Sequence, residues 1–183
     1  MPEAPTVRVT WPLPRFKALL QRGVGVPFGT GVSVREFLQE ALGIDADYVE
    51  ENLQTVFLDG QPIDDFDRAV VRPSAVLALS GAMPGLVGAT MRRGGYYARM
   101  REGITRPEKE EAGGGGADSF VVVKLFNRPL ADLHETLLAR PLLAPADVLA
   151  DALADVLADA LDGLDPEAEA AEDHWVRLVV TLA

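Results

Sequence analysis

The sequence predicts an α+β protein built from two blocks of chain, and three observations carry that prediction. Apolar and polar residues alternate in Thr6-Val7-Arg8-Val9-Thr10-Trp11, the period of a half-buried strand. Ser33-Val34-Arg35-Glu36 reads as a capping box ahead of an apolar stripe at Val34, Phe37, Leu38, Ala41 and Leu42, with Gly43 as the stop. Between 106 and 116 a charged stretch runs into four consecutive glycines, a composition that loses much backbone entropy on ordering and reads as a tether. The chain divides accordingly into an N-terminal block, 1–91, a basic and tyrosine-bearing segment with its Gly-rich linker, 92–118, and an acidic α+β block, 119–183.

Composition narrows the function classes. At 183 residues the chain suits one medium domain or two small ones. A net charge of −11 argues against general nucleic-acid binding, which needs a basic surface to displace counterions, and against adsorption to anionic membranes. The sequence has no cysteine, which excludes disulfides, thiolate metal sites and cysteine nucleophiles. No apolar run approaches the ~20 residues needed to span a bilayer. Met1-Pro2-Glu3-Ala4-Pro5 lacks the basic start and apolar stretch of a signal peptide, so the expected location is cytoplasmic. Charge is also uneven along the chain. The first block carries 11 acids and 7 bases, the middle segment 5 and 6, and the last block 12 and 4.

In the first block, Pro12 and Pro14 end the opening strand, because proline cannot donate to a sheet ladder. A second extended stretch, Val24 to Val32, is interrupted by Gly25, Pro27, Gly29 and Gly31 and is expected to be a bulged or edge strand. The capped helix follows, then an acidic connection. Gln54 to Leu58 is strand-like, Asp59-Gly60 signals a tight turn, Gln61 to Asp67 a loop with a short extended piece, and Ala75 to Leu79 a buried strand. This is the order of a β-grasp domain, in which one amphipathic helix covers a mixed sheet whose first and last strands lie adjacent.

The stretch from Thr55 to Gly81 resembles the second half of the sulfur-carrier branch of the ubiquitin-like superfamily, which includes the thiamine sulfur carrier and the small subunit of molybdopterin synthase. The pieces that carry the likeness are Val56-Phe57-Leu58-Asp59-Gly60, Arg72-Pro73-Ser74, the strand Ala75 to Leu79, and Gly94-Gly95 beyond. Asp59 stands where the family has Asn, Arg72-Pro73-Ser74 replaces an acidic turn, and the di-glycine is internal, with 88 residues after it. The resemblance implies a ubiquitin-like fold and, if the chain were cut after Gly95, an adenylating activating enzyme as partner.

Met91-Arg92-Arg93-Gly94-Gly95 therefore has more than one reading. A terminal Gly-Gly without side chains can thread an activating enzyme's channel, steered by arginine. As an internal pair it is a loop before an amphipathic helix, with Tyr96, Tyr97, Met100 and Ile104 at helical spacing for core packing and Arg99, Arg101 and Glu102 opposite. Free N–H groups beside Arg92 and Arg93 could also hold an anion. Arg92, Arg93, Arg99, Arg101 and Arg106 against Glu102 leave a local charge of +4, suited to an acidic partner or to the chain's own acidic block. The candidate binding residues are Arg92, Arg93, Gly94, Gly95, Tyr96, Tyr97 and Arg99.

In the last block, Ser119 to Phe126 is a β-branched apolar run, Leu130, Leu133, Leu137 and Leu138 suggest a short helix, and Pro145 suits the first turn of the next. That second helix repeats in fours, so Asp147, Asp151, Asp155 and Asp159 wind slowly round it until Gly163. Calcium loops take ligands from a tight turn, so these acids read as a solvated face. Trp175 to Leu182 is a closing strand. Two strands are too few to stand alone, so the block is expected to extend a sheet or to form a homodimer. His134 and His174 have no nucleophile or acid at motif spacing, and the glycines at 23, 25, 29 and 31 lack a nucleotide-loop pattern. Asp64, Asp65 and Asp67 read as a solvated turn. The expected function is a non-enzymatic interaction module without cofactor or metal, whose partner is a protein.

Overall fold

The computed structural model describes residues 5–10, 16–28, 31–101, 103–105, 119–157 (backbone alone for 153–157) and 175–181. The predicted alternations become strands: β1 (Thr6–Thr10), β2 (Val24–Pro27), β3 (Thr55–Leu58), β4 (Gln61–Pro62), β5 (Val76–Ser80), β6 (Phe120–Leu125), β7 (Leu142–Pro145) and β8 (Trp175–Thr181). The helices are α1 (Phe16–Arg22), α2 (Val34–Glu36), α3 (Ala46–Asn52), α4 (Gly85–Met91), α5 (Asn127–Leu138) and α6 (Ala146–Leu157). A π turn at Phe37–Ala41 and a 3-10 helix at Tyr96–Arg101 complete the described elements.

All eight strands join one mixed sheet in the order β1-β8-β7-β2-β6-β5-β3-β4. The protein is therefore α+β, with strands of the two predicted blocks interleaved. β6 lies parallel to β5 and antiparallel to β2, and β1 lies parallel to β8. Two sequence expectations are corrected here. The first and last strands of the N-terminal block are not adjacent, because β6 takes the place beside β5 and β1 pairs with β8. The interrupted stretch from Val24 is an interior strand, not an edge. Gly25 explains that position: a Cβ there would lie 2.9 Å from the Phe120 ring and 3.0 Å from Leu143 Cβ, so only glycine lets the three strands close up. The acidic block does extend a sheet, and with three strands instead of two. Pro145, expected in the first turn of the next helix, is instead the last residue of β7, paired with Trp175 of β8, and α6 begins one residue later at Ala146.

The capping box forms as its residues require. Ser33 Oγ accepts the Glu36 N–H at 3.1 Å and the Glu36 carboxylate accepts the Ser33 N–H at 2.8 Å. Beyond Glu36 the helix widens, with the Leu42 N–H reaching the Phe37 carbonyl at 3.1 Å, and Gly43 turns the chain out at φ +63°. Arg140 Nη2 donates to the Leu42 carbonyl at 2.9 Å and Nη1 to that of Ala41, joining the end of this helix to the end of α5. Asp59 (φ +52°) and Gly60 (φ +79°) make the expected tight turn between β3 and β4. α1 and α3 were not anticipated; each has only seven residues, too few for a periodic stripe.

One core follows from these pairings. Along β6 the exposure alternates, with Val121, Val123 and Leu125 buried, and in register beside them lie Val24, Val26, Leu77 and Leu79. Leu19, Leu20, Phe37, Leu38, Val49 and Leu138 join the same apolar cluster from the helices. The opposite sheet face carries Phe57, Val76, Ala78, Phe120 and Val122, all half-buried. Among the described residues no helix is long and apolar enough to cross a membrane.

Candidate functional site

After β5 the chain leaves the sheet at Gly81 and makes a helical hairpin. α4 and the 3-10 helix are its arms, and Arg92-Arg93-Gly94-Gly95 joins them. Gly88 is buried on the inner side of α4, where a Cβ would fall 2.1 Å from the Met83 carbonyl oxygen. Gly94 adopts φ +61°, the left-handed region that favours glycine, so the bend depends on that residue. The Gly95 N–H bonds the Arg92 carbonyl at 3.2 Å and the Ala98 N–H bonds the Gly95 carbonyl at 3.0 Å. The di-glycine is thus the loop before a short helix.

Two of the arginines pin this hairpin to the body. The Arg93 N–H donates to the Gln54 carbonyl at 2.7 Å, its guanidinium meets Glu50 at 2.6 Å, and its cationic carbon lies 4.4 Å from the centre of the Phe66 ring. Arg101 is only 3% exposed. It grips Asp64 with two nitrogens, at 2.7 and 3.0 Å, and donates also to the Thr90 carbonyl at 2.7 Å and Thr105 Oγ1 at 2.8 Å. The Gly94 N–H shares the same carboxylate at 3.2 Å. A buried guanidinium needs this many acceptors, because an unpaired one costs several kcal/mol.

Pinning Arg101 inverts the expected helix. A period of 3.6 placed Tyr96, Tyr97, Met100 and Ile104 against the core and Arg101 outside. In a 3-10 helix residues three apart eclipse, so Ala98 lines up with Arg101 on the inner side. Tyr96 then stands above Arg99, and Tyr97 above Met100, toward solvent. Tyr96 is 89% exposed and Met100 73%, with Tyr97 and Ile104 also exposed. The core-packing expectation for this stripe is overturned: Arg101, with five bonds to satisfy, takes the inner side and leaves the apolar residues outside.

Every large exposed hydrophobic side chain among the described residues belongs to this hairpin, since Leu86 and Val87 of α4 are the remaining two. Tyr96 and Tyr97 meet edge to face, with centroids 5.1 Å apart, which stiffens the pair. Arg92 and Arg99 are exposed beside them and form no ion pair with another described residue. Of the seven candidate residues, Arg92, Tyr96, Tyr97 and Arg99 therefore present side chains to solvent, Gly94 and Gly95 shape the loop, and Arg93 anchors it. Leu86 and Val87 were missed, because a two-residue apolar step between Gly85 and Gly88 has no period to detect.

The Arg93 and Arg35 guanidiniums beside Glu50 hold its carboxyl below the ordinary value. A carboxylate stabilised this way favours the folded arrangement at pH above the ordinary value of 4.5, and the benefit is lost as pH falls through the lowered one. Acidification below about pH 4.5 is therefore expected to loosen the Arg93 anchor, seen as movement of the Arg93 side-chain NMR signal, the group that Glu50 holds directly. In Glu50→Gln that titration disappears; an unchanged titration would show that Glu50 does not hold the loop.

Other candidates have structural partners. Asp65 accepts the Asp67 and Arg68 N–H groups, and Asp67 meets Arg35 at 2.6 Å, so with Asp64 this is a working turn and not a merely solvated one. His134 stacks on Phe16 at 4.8 Å and bonds the Ala131 carbonyl. Asp151 of the acidic stripe approaches Arg22 at 3.9 Å, and Asp159, His174, the glycines 113–116 and Gly163 lie outside the described residues. A pocket of about 450 Å³ opens between β2, β7 and the π turn, with Phe28, Leu142 and Leu143 in its walls and Glu40 and Arg140 at its polar side. Arg140 is already committed to helix-terminal carbonyls there.

Fold and site together define an α+β protein with a single mixed sheet and a pinned helical hairpin that exposes apolar and cationic side chains. Compared with known proteins, the chain matches no family model, no curated protein and no solved structure.

Proposed function

We propose that this chain is a non-enzymatic, cytoplasmic protein-interaction module whose recognition surface is the outer face of the hairpin between residues 85 and 104. The observation that carries the reading is the confinement of every large exposed hydrophobic among the described residues to that face. Apolar patches of this kind on soluble proteins are held for partners. Tyr, Met and Arg, the residue types gathered here, are enriched in interfaces. The Arg101–Asp64 and Arg93–Glu50 anchors fix the patch in advance, which reduces the ordering cost of association. A β-grasp relationship for the N-terminal block belongs to the same proposal. It is supported by the parallel neighbour of β5, the antiparallel β3 and β4 beyond it, and the capped helix, with β6 in the position expected of the first strand.

Placing a photo-crosslinking amino acid at Tyr96 in the native host tests the function. A discrete adduct is expected at position 96 but not at Thr10, on the opposite edge of the sheet, and Met100→Ser with Ile104→Ser should remove it. The intact mass from the same host is the second readout. A dominant fragment ending at Gly95, or that fragment joined to another protein, would overturn the reading in favour of a carrier or modifier activated by an adenylating enzyme.

A further inference from the structure

We propose that the partner is a protein segment with acidic side chains set around one or two apolar anchors; the inference rests on the hairpin being the recognition surface. Charge is the first argument. From Ala82 to Arg101 the chain contains four arginines and no acid, within a protein of net charge −11. Arg93 and Arg101 are neutralised from below by Glu50 and Asp64. Arg92 and Arg99 remain on the outer face without an ion pair among the described residues, and a guanidinium offers its paired N–H groups to a carboxylate in preference to other acceptors.

Geometry is the second argument. The three-residue period sets Tyr96 beside Arg99 and Tyr97 beside Met100, so aromatic, thioether and cationic groups share one outer face. Such a surface seats an apolar side chain against the stiff Tyr96–Tyr97 pair while neighbouring carboxylates reach the two arginines. Basic or uncharged apolar segments would leave those cations facing like charge or nothing.

The same observations weigh against three other occupants. An anionic bilayer or a nucleic acid presents an extended array of negative charge to a body of net charge −11, so long-range repulsion opposes it far more than it opposes a short segment whose few carboxylates reach only Arg92 and Arg99. In a two-fold dimer through this face the patch would meet itself, setting Arg92 and Arg99 against their own copies.

The test uses the full-length chain and short fluorescein-labelled peptides read by anisotropy. One peptide carries Glu and Asp around Leu and Phe; in a second the acids become Lys, and in a third Leu and Phe become Ser. The acidic, apolar peptide is expected to bind. Both substituted peptides, and the exposed charge reversal Arg92→Glu with Arg99→Glu, should weaken binding by about tenfold or more. Raising salt from about 50 mM to about 500 mM should weaken it too. Equal binding of the lysine peptide, or no response to the charge reversal while Tyr96→Ser with Met100→Ser abolishes binding, would overturn the acidic partner and leave the interaction surface standing. Indifference to both pairs of substitutions would remove both. Absence of binding by the acidic peptide at millimolar concentration also overturns the inference. So does tighter capture by phosphatidylserine vesicles, or a concentration-dependent dimer that the charge reversal disrupts.

Discussion

Asp64→Ala is expected to destabilise the protein by about 3 kcal/mol, more than its place in a surface turn suggests. Among the described residues the carboxylate is the only acid that Arg101 meets, and removing it leaves a charge that is 3% exposed among carbonyls and a hydroxyl. It also frees the Gly94 N–H at the bend. Arg101→Met leaves Asp64 able to reach water, because that side chain is 36% exposed, so its cost should be smaller. In the double variant, with both charges gone, stability should recover part of the loss, which gives a coupling energy of about 1–3 kcal/mol. Urea unfolding of the four proteins measures the cycle, and hydrogen exchange over residues 85–105 shows whether the hairpin loosens before the sheet. Additive losses within about 0.5 kcal/mol would mean that the two groups do not act as a pair.

Phe66→Ala should cost about 4 kcal/mol. The ring is 1% exposed and among the largest fully buried side chains, so its removal leaves a cavity in addition to the lost apolar burial. Its backbone carbonyl accepts the Arg35 N–H at 3.0 Å, so the segment stays tied to α2 when the ring is gone. The ring also lies under Arg93, and its loss takes away one of the loop's anchors. Phe66→Leu fills most of the space and should cost about 1–1.5 kcal/mol, while removing the cation–ring contact altogether. Faster amide exchange at residues 93–95 in both variants, against very different unfolding energies, would separate anchoring from packing. Protection unchanged in Phe66→Leu would show that the ring contributes nothing to the loop.

Legibility in the sequence followed the range of each interaction. Ser33 and Glu36 are three residues apart and satisfy each other's backbone, so their capping box was readable and forms. Asp59-Gly60 required left-handed backbone at two successive residues and has it. The run from Phe120 to Leu125 was legible as a buried strand, but its neighbours were not. Strand pairing depends on surfaces brought together from distant stretches, and nothing in residues 120–125 names β2 and β5 as partners. The four residues of β7 gave no alternation that could outweigh the prolines around them.

The candidate site shows the same division. Arg92 to Tyr97 stood out for its composition, and the loop-then-helix shape is what the structure holds. Which side of that helix faces inward was decided by Asp64, 37 residues earlier in the chain. Its carboxylate captures Arg101, the helix tightens to three residues per turn, and Tyr96 and Met100 turn outward. The sequence alone determined the longer patterned elements, the capping box, the Asp59-Gly60 turn, the bend at Gly94-Gly95 and the charge contrast between segments, because each depends on neighbouring residues. Only the tertiary structure decided the order of the sheet, the glycine at the centre of β2 and the exposure of the hairpin's apolar face. Those depend on which distant side chains must share a buried space, and a buried charge outranks an apolar stripe when both compete for it.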